Sequence, residues 1–186
     1  MMTITASALF LSLMTPGVQN AKMSPQNPMV GGMAMMANRN IVENAVNSQD
    51  HTTLVAAVKA AGLVDALMGK GPFTVFAPTN AAFDMLPEGT VASLLKPEMK
   101  PMLTGVLTYH VVPGKWTYDS ISKAIKAGKG TAKVKTLSGG WLWAMWNGPK
   151  NIVLKDEKGG VASISTYDVM QSNGVIHVID RVLMPK

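Results

Sequence analysis

Apolar positions in the first half of the chain recur with a helical period; in the second half they alternate. Leu54, Val55, Ala57, Val58 and Ala61 form one stripe, which predicts an amphipathic helix starting at Thr52 or Thr53. Gly62 interrupts it, and Leu63, Val64 and Leu67 continue to Gly69. Before it, Asn40 opens a helix with Ile41, Val42, Ala45 and Val46 on one face. Further on, Thr90 caps a short helix through Leu94 and Leu95. Pro97 opens another that carries Met102, Leu103, Val106 and Leu107 inward. Asp119 or Ser120 caps a helix with Ile121, Ala124 and Ile125 on one face, ending at Gly128.

Then the period changes. Thr131 to Leu137, Trp141 to Trp146, Asn151 to Lys155, Val161 to Val169 and Val175 to Met184 read as strands. Ser138-Gly139-Gly140, Asn147-Gly148-Pro149, Lys158-Gly159-Gly160 and Ser172-Asn173-Gly174 separate them with turn chemistry. Helices first and strands later predict an α+β domain, its helices gathered against an antiparallel sandwich or wedge.

One stretch organises the rest. Phe73 to Ala77 is aromatic and β-branched, the pattern of a buried strand. Pro78 ends it, because proline has no ladder donor and holds Ala77 extended. Thr79 or Asn80 then caps a helix opening at Ala81-Ala82-Phe83. Later, Tyr109 to Val112 reads as a strand closed by the turn pair Pro113-Gly114.

Three segments carry a family resemblance: Pro72 to Phe83, Leu107-Thr108-Tyr109-His110-Val111-Val112-Pro113-Gly114, and Asn173-Gly174-Val175-Ile176-His177-Val178-Ile179-Asp180 with its continuation to Pro185. In order and spacing over residues 40 to 186 they resemble the fasciclin domain family. The helical run His51 to Leu63 is similar to the family's opening helix. The resemblance marks Phe76, Pro78, Thr79, Asn80, Phe83, His110, His177 and Asp180 as signature positions. It implies a fasciclin-like α+β fold, an antiparallel β-sandwich or wedge with helices packed on one side. It also implies a non-enzymatic binding and adhesion module. In the family a Tyr-His pair flanked by aliphatic residues is implicated in integrin binding, and the matching pair here is Tyr109 and His110. Some algal members bind carotenoids, which implies an apolar small-molecule carrier as the alternative.

The ends and the composition add boundaries. Residues 1–21 read as a secretory signal peptide: Ala6 to Met14 is apolar but too short to span a bilayer, and Thr15-Pro16-Gly17 breaks it. Residues 22–38 read as a flexible linker, and residues 39–186 as the domain. The expected location is therefore secreted or periplasmic, with no transmembrane segment in the mature chain. Cysteine is absent, which excludes disulfides and thiolate chemistry. The net charge of +6 includes Lys123, Lys126, Lys129, Lys133 and Lys135, a run without an acid. Such a run suits anionic lipid, polysaccharide or nucleic acid, or is simply a solvated face. No nucleic-acid motif accompanies it, and nucleic acid is not an expected partner.

Candidate chemistry is sparse. The chain has three histidines, His51, His110 and His177, and no carboxylate stands at a motif spacing from His110. There is no Gly-x-Ser-x-Gly, no His-Glu-x-x-His, no EF-hand loop and no phosphate-binding glycine loop. No catalytic residue is assigned. His110 is expected to be a neutral structural group, joining its strand to the Pro72–Phe83 stretch. Met29, Met33, Met35 and Met36, with Met23 before them, fit either soft ligation of Cu(I) or loose packing on the domain. Trp141, Trp143 and Met145 alternate onto one strand face and Leu142, Ala144 and Trp146 onto the other, so part of this apolar surface is expected either to meet a partner or ligand or to lie under a helix. The sequence thus points to a secreted binding module whose partner is an extracellular or cell-envelope protein or a polysaccharide. A carotenoid carrier is the second reading and a Cu(I) site the third.

Overall fold

The computed structural model describes residues 27–186. The expected signal peptide and the first part of the expected linker, with Met23, lie outside the described residues. After a short hairpin come α1 (Ile41–Ala45), α2 (Thr52–Ala61) and α3 (Val64–Met68), and after one strand α4 (Asn80–Asp84) and α5 (Thr90–Leu94). They are followed by α6 (Lys100–Tyr109) and α7 (Tyr118–Ala127). The strands are β1 (Met29–Val30), β2 (Met33–Ala34), β3 (Phe73–Pro78), β4 (Val111–Pro113), β5 (Thr131–Lys135), β6 (Trp141–Asn147), β7 (Asn151–Lys155), β8 (Val161–Gln171) and β9 (Gly174–Ile179).

Seven strands form one sheet in the order β4-β3-β9-β8-β7-β6-β5. Every pair is antiparallel except β3 with β9, which is parallel. The sheet bends at β8, where the pairing with β9 shifts register between Ile164 and Thr166 and again before Val169. The bend brings the ends round until Leu137 donates its N–H to the Val111 carbonyl at 2.8 Å. The two edge strands thus shield each other, one solution to the hazard of exposed edges.

Two apolar clusters flank the central strands. Helices α1 to α6 pack Leu54, Val58, Ala61, Leu103 and Val106 against Val75, Val111, Ile176 and Val178. Inside the bent sheet, Phe76, Val112 and Ile179 meet Ile121 and Ile125 of α7 and Leu142, Ile152 and Leu154 of the hairpin strands. Residues of β3 and β9 therefore point alternately into two cores, and both strands are buried along nearly their whole length. That is why they read as continuous apolar runs rather than alternating ones. Gly174 sits where the two strands meet: a Cβ there would stand 2.0 Å from the Phe73 carbonyl oxygen.

Several boundaries differ from the sequence reading. Tyr109 closes helix α6 instead of opening a strand, and His110 is the helix cap. The β-branched pair Val111-Val112 drew the strand two residues too early. Thr117 caps α7, accepting the Ser120 N–H, and Gly89 precedes α5 in the left-handed region. The last strand stops at Ile179, although Val182 and Leu183 remain buried. Residues 29–34 form a small hairpin rather than linker, with Val30 and Met35 packed into the helical core. The ordered domain therefore starts ahead of residue 39.

Candidate functional site

Tyr109 and His110 lie at the centre of the fold, where α6 turns into β4. Both are buried, as are the flanking Leu107, Val111 and Val112. The Tyr109 hydroxyl donates to the Trp141 carbonyl at 2.7 Å and accepts the Glu157 N–H at 3.1 Å. Burial pushes its pKa up to about 12, and the nearby Glu157 and Asp156 charges act the same way against the opposing Glu157 hydrogen bond. His110 Nδ1 stands 2.8 Å from the Val106 carbonyl and therefore carries the proton. Its Nε2 accepts the Leu183 N–H at 2.9 Å. Burial drives its pKa down to about 4, against smaller contributions from the Val106 carbonyl and Asp156. The imidazole is neutral and joins α6 to the C-terminal segment. Its link to the Pro72–Phe83 stretch runs instead through the backbone, where its carbonyl accepts the Phe76 N–H at 2.9 Å. The pair faces inward, and neither ring offers a partner a free polar atom.

The other signature residues also join elements. Phe76 stacks on His177 with centroids 5.7 Å apart. The His177 Nε2–H donates to the Trp116 carbonyl at 2.7 Å, and Nδ1 accepts from Asp168 N at 3.3 Å. Burial lowers the pKa of His177, against the Trp116 carbonyl and Asp168. His51 is also lowered by burial, with the Ala77 carbonyl and Asp50 pulling the other way. Pro78 is buried at the end of β3 and Phe83 packs in the helical core. Thr79 caps α4, accepting the Ala82 N–H, and so resolves the choice left between Thr79 and Asn80. Asn80 instead holds the start of α2, accepting from Thr53 N at 3.0 Å and donating to the Gln49 carbonyl at 2.8 Å. Asp180 is exposed and accepts the Ser163 N–H at 2.7 Å.

Three groups escaped the sequence reading. Asn173 accepts the Ile41 N–H at 3.0 Å and donates to the carbonyls of Leu67 and Gly69. Asp156 is buried and accepts the N–H groups of Lys158, Gly160 and Met184. Glu157 accepts those of Trp141 and Lys186. Only their turn context was visible beforehand, because every one of these partnerships except those within the Asp156 turn is distant in sequence.

The outer face of β5, β6 and β7 is different in kind. Trp141, Trp143 and Met145 point outward and are half-buried. Lys135 lies opposite Trp141 and Lys133 opposite Trp143; on the other side Lys155 lies opposite Trp143. The Lys133 ammonium stands 4.2 Å from the Trp141 ring centre and 5.9 Å from that of Trp143. Lys135 is 6.0 Å from the Trp141 ring. These are cation–π contacts, and they set charge and aromatic surface side by side. The lysine run does have aromatic neighbours: they come from the next strand, not from the run itself. Lys123, Lys126 and Lys129 lie apart, on α7 and the turn after it. Trp146 does not share the outer face; it packs inward, edge-on to Tyr118 at 6.2 Å.

Of the methionines, Met35 is buried, and the Met36 sulfur accepts the Asn27 side-chain N–H at 3.2 Å. Met29 and Met33 are exposed. Among the described residues no helix is long and apolar enough to cross a membrane.

The Fasciclin domain model matches residues 49–185. Protein sll1483 of Synechocystis is 44% identical over 94% of this chain and 89% of its own length. The cell surface glycolipoprotein MPB83 of Mycobacterium bovis is 36% identical over 90% of this chain and 69% of its own. Among solved structures, a FAS1 domain pair from the insect cell adhesion molecule Fasciclin I matches with a TM-score of 0.56 at 21% identity, over 70% of this chain. The chain spans 43% of that two-domain structure, and at that identity the likeness concerns the fold alone. The matched family model, the relatives and the shared α+β architecture agree: the chain belongs to the fasciclin domain family.

Proposed function

We propose that this chain is an exported, non-catalytic binding module that mediates adhesion or attachment at the cell surface, and that its contact surface is the outer face of β5 to β7. The observation that carries this reading is the pairing of half-exposed Trp141 and Trp143 with Lys133, Lys135 and Lys155 on one rigid sheet face. Exposed aromatic surface of this kind marks interaction sites. The names of the relatives, a cell surface glycolipoprotein and a cell adhesion molecule, support the setting.

The Tyr109–His110 pair serves in this reading as a brace beneath that face. The Tyr109 hydroxyl holds the backbone at Trp141 and Glu157, at the root of the hairpins that display the indoles. The carrier and copper readings draw less support. The apolar cavity between the helices and β3 holds about 90 Å³, against roughly 300–1,000 Å³ for small-molecule sites. Ligation of a metal through Met35 would take that side chain out of the core.

The test is retention of the full-length protein on the envelope fraction of its own host. Changing Trp141 and Trp143 together to Ala should abolish retention while the denaturation midpoint stays close to that of the parent. Undiminished retention of the folded double variant would overturn the assignment.

A further inference from the structure

We infer that the occupant of the Trp–Lys face is an anionic polysaccharide, one bearing carboxylate or sulfate groups on its sugar rings. This rests on the surface assignment above and adds the chemistry of what binds. Trp141 and Trp143 stand two residues apart on one strand, so their indoles lie roughly 7 Å apart along its direction. That is a linear platform, suited to an extended chain more than to a compact ligand. Cations flank it on both sides: Lys133 and Lys135 from β5, Lys155 from β7. Asp156 and Glu157 beside it keep their negative charge, but their oxygens turn to the backbone N–H groups of their own turn, of Trp141 and of the C-terminal segment rather than to these lysines. Beside the platform an open groove of about 500 Å³ is walled by Trp143, Met145, Lys155 and Lys158, with Asp156 and Glu157 on the same wall, so the net positive charge comes from the platform's own lysines. Its size falls in the range of ligand sites.

A sugar ring matches this mixture. Its C–H face is apolar and lies on an indole, its hydroxyl rim takes hydrogen bonds, and an acidic substituent meets an ammonium group. The mixture does not suit a bilayer, which favours segregated surfaces with apolar groups on one side and charges on the other. Here the ammonium groups stand over the rings themselves. A single-stranded nucleic acid also combines stacking with charge, but the relatives' surface setting places polysaccharide within reach.

The experiment uses the full-length protein with immobilised polygalacturonate and dextran sulfate as probes. Neutral dextran, oligothymidylate and phosphatidylcholine–phosphatidylglycerol vesicles serve as comparisons. Saturable binding to at least one anionic polysaccharide, weakened by salt and absent on neutral dextran, is expected. Trp143→Ala and Lys133→Gln should each weaken it about ten-fold. Lys133 is exposed, so its variant reports even where Trp143→Ala disturbs the fold. Equal binding to neutral dextran, preference for the oligonucleotide or vesicles, or indifference to both substitutions would overturn the inference. Trp-dependent envelope retention without binding to either anionic polymer would remove the polysaccharide and leave the surface assignment standing. Loss of neither with the tryptophans would remove both.

Discussion

His110 Nε2 accepts the backbone N–H of Leu183 at 2.9 Å, across 73 residues of chain. Met184 and Lys186 donate in turn to Asp156 and Glu157. The C-terminal segment has no strand partner at these positions, and side chains take the place of a ladder.

A pH dependence follows from that bond. Burial depresses the pKa of His110 to about 4, and those of His51 and His177 also fall. Above the unfolded value of ~6.5 all three are neutral in both states, and their contribution is fully present. As pH falls below ~6.5 the unfolded chain takes up protons first and stability drops; for His110 the loss continues until about pH 4. It amounts to on the order of 3 kcal/mol from that residue. Denaturant melts across this window should show the decline, and His110→Ala should be less stable at neutral pH yet less sensitive to acid. An NMR titration placing His110 above 7 would contradict the assignment.

Ending the chain after Arg181 should destabilise it beyond the loss of the Val182 and Leu183 side chains. The truncation leaves His110 Nε2 unpaired in the core and removes the Met184 N–H from Asp156. An unsatisfied buried group costs about 1–3 kcal/mol. A truncated protein with an unchanged melting midpoint would show that the segment is not held this way.

Phe76→Ala should cost about 3–5 kcal/mol, because it leaves a cavity inside the bent sheet and strips one face of His177. Thr79→Ala should cost only ~1 kcal/mol, the usual value of a lost helix cap. Equilibrium unfolding of the two variants checks the ratio.

Asn173→Ala should cost about 1–3 kcal/mol, since it frees the Ile41 N–H and the carbonyls of Leu67 and Gly69 together. Hydrogen exchange should locate the loosening at the start of α1 and the end of α3, not in the distant hairpins. Uniform acceleration throughout would contradict a local role.

These comparisons show what was legible in advance. The strand at Phe73 to Ala77, buried from Thr74 on, and the strand sequence from Thr131 onward could be read because apolar period and turn residues act locally. The end of α6 could not, since Tyr109 and His110 precede a β-branched pair and their helical state is settled by contacts with Trp141, Glu157 and Leu183. The Trp face was visible as alternation along β6. Its charge was not, because Lys133 and Lys135 meet the indoles only through the register of the β5–β6 hairpin. Counting residues back from the Ser138-Gly139-Gly140 turn would have revealed that pairing. Asn173 with Ile41, 132 residues apart, had no local signal at all.

The most direct test of the account is lysine acetylation read by mass spectrometry, with the full-length protein free and bound to the envelope fraction. Lys133, Lys135 and Lys155 should be protected on binding, while Lys123 and Lys126 of α7 react as before. Protection confined to the α7 lysines, or none on the β5–β7 face, would contradict the claim that this face is the binding surface.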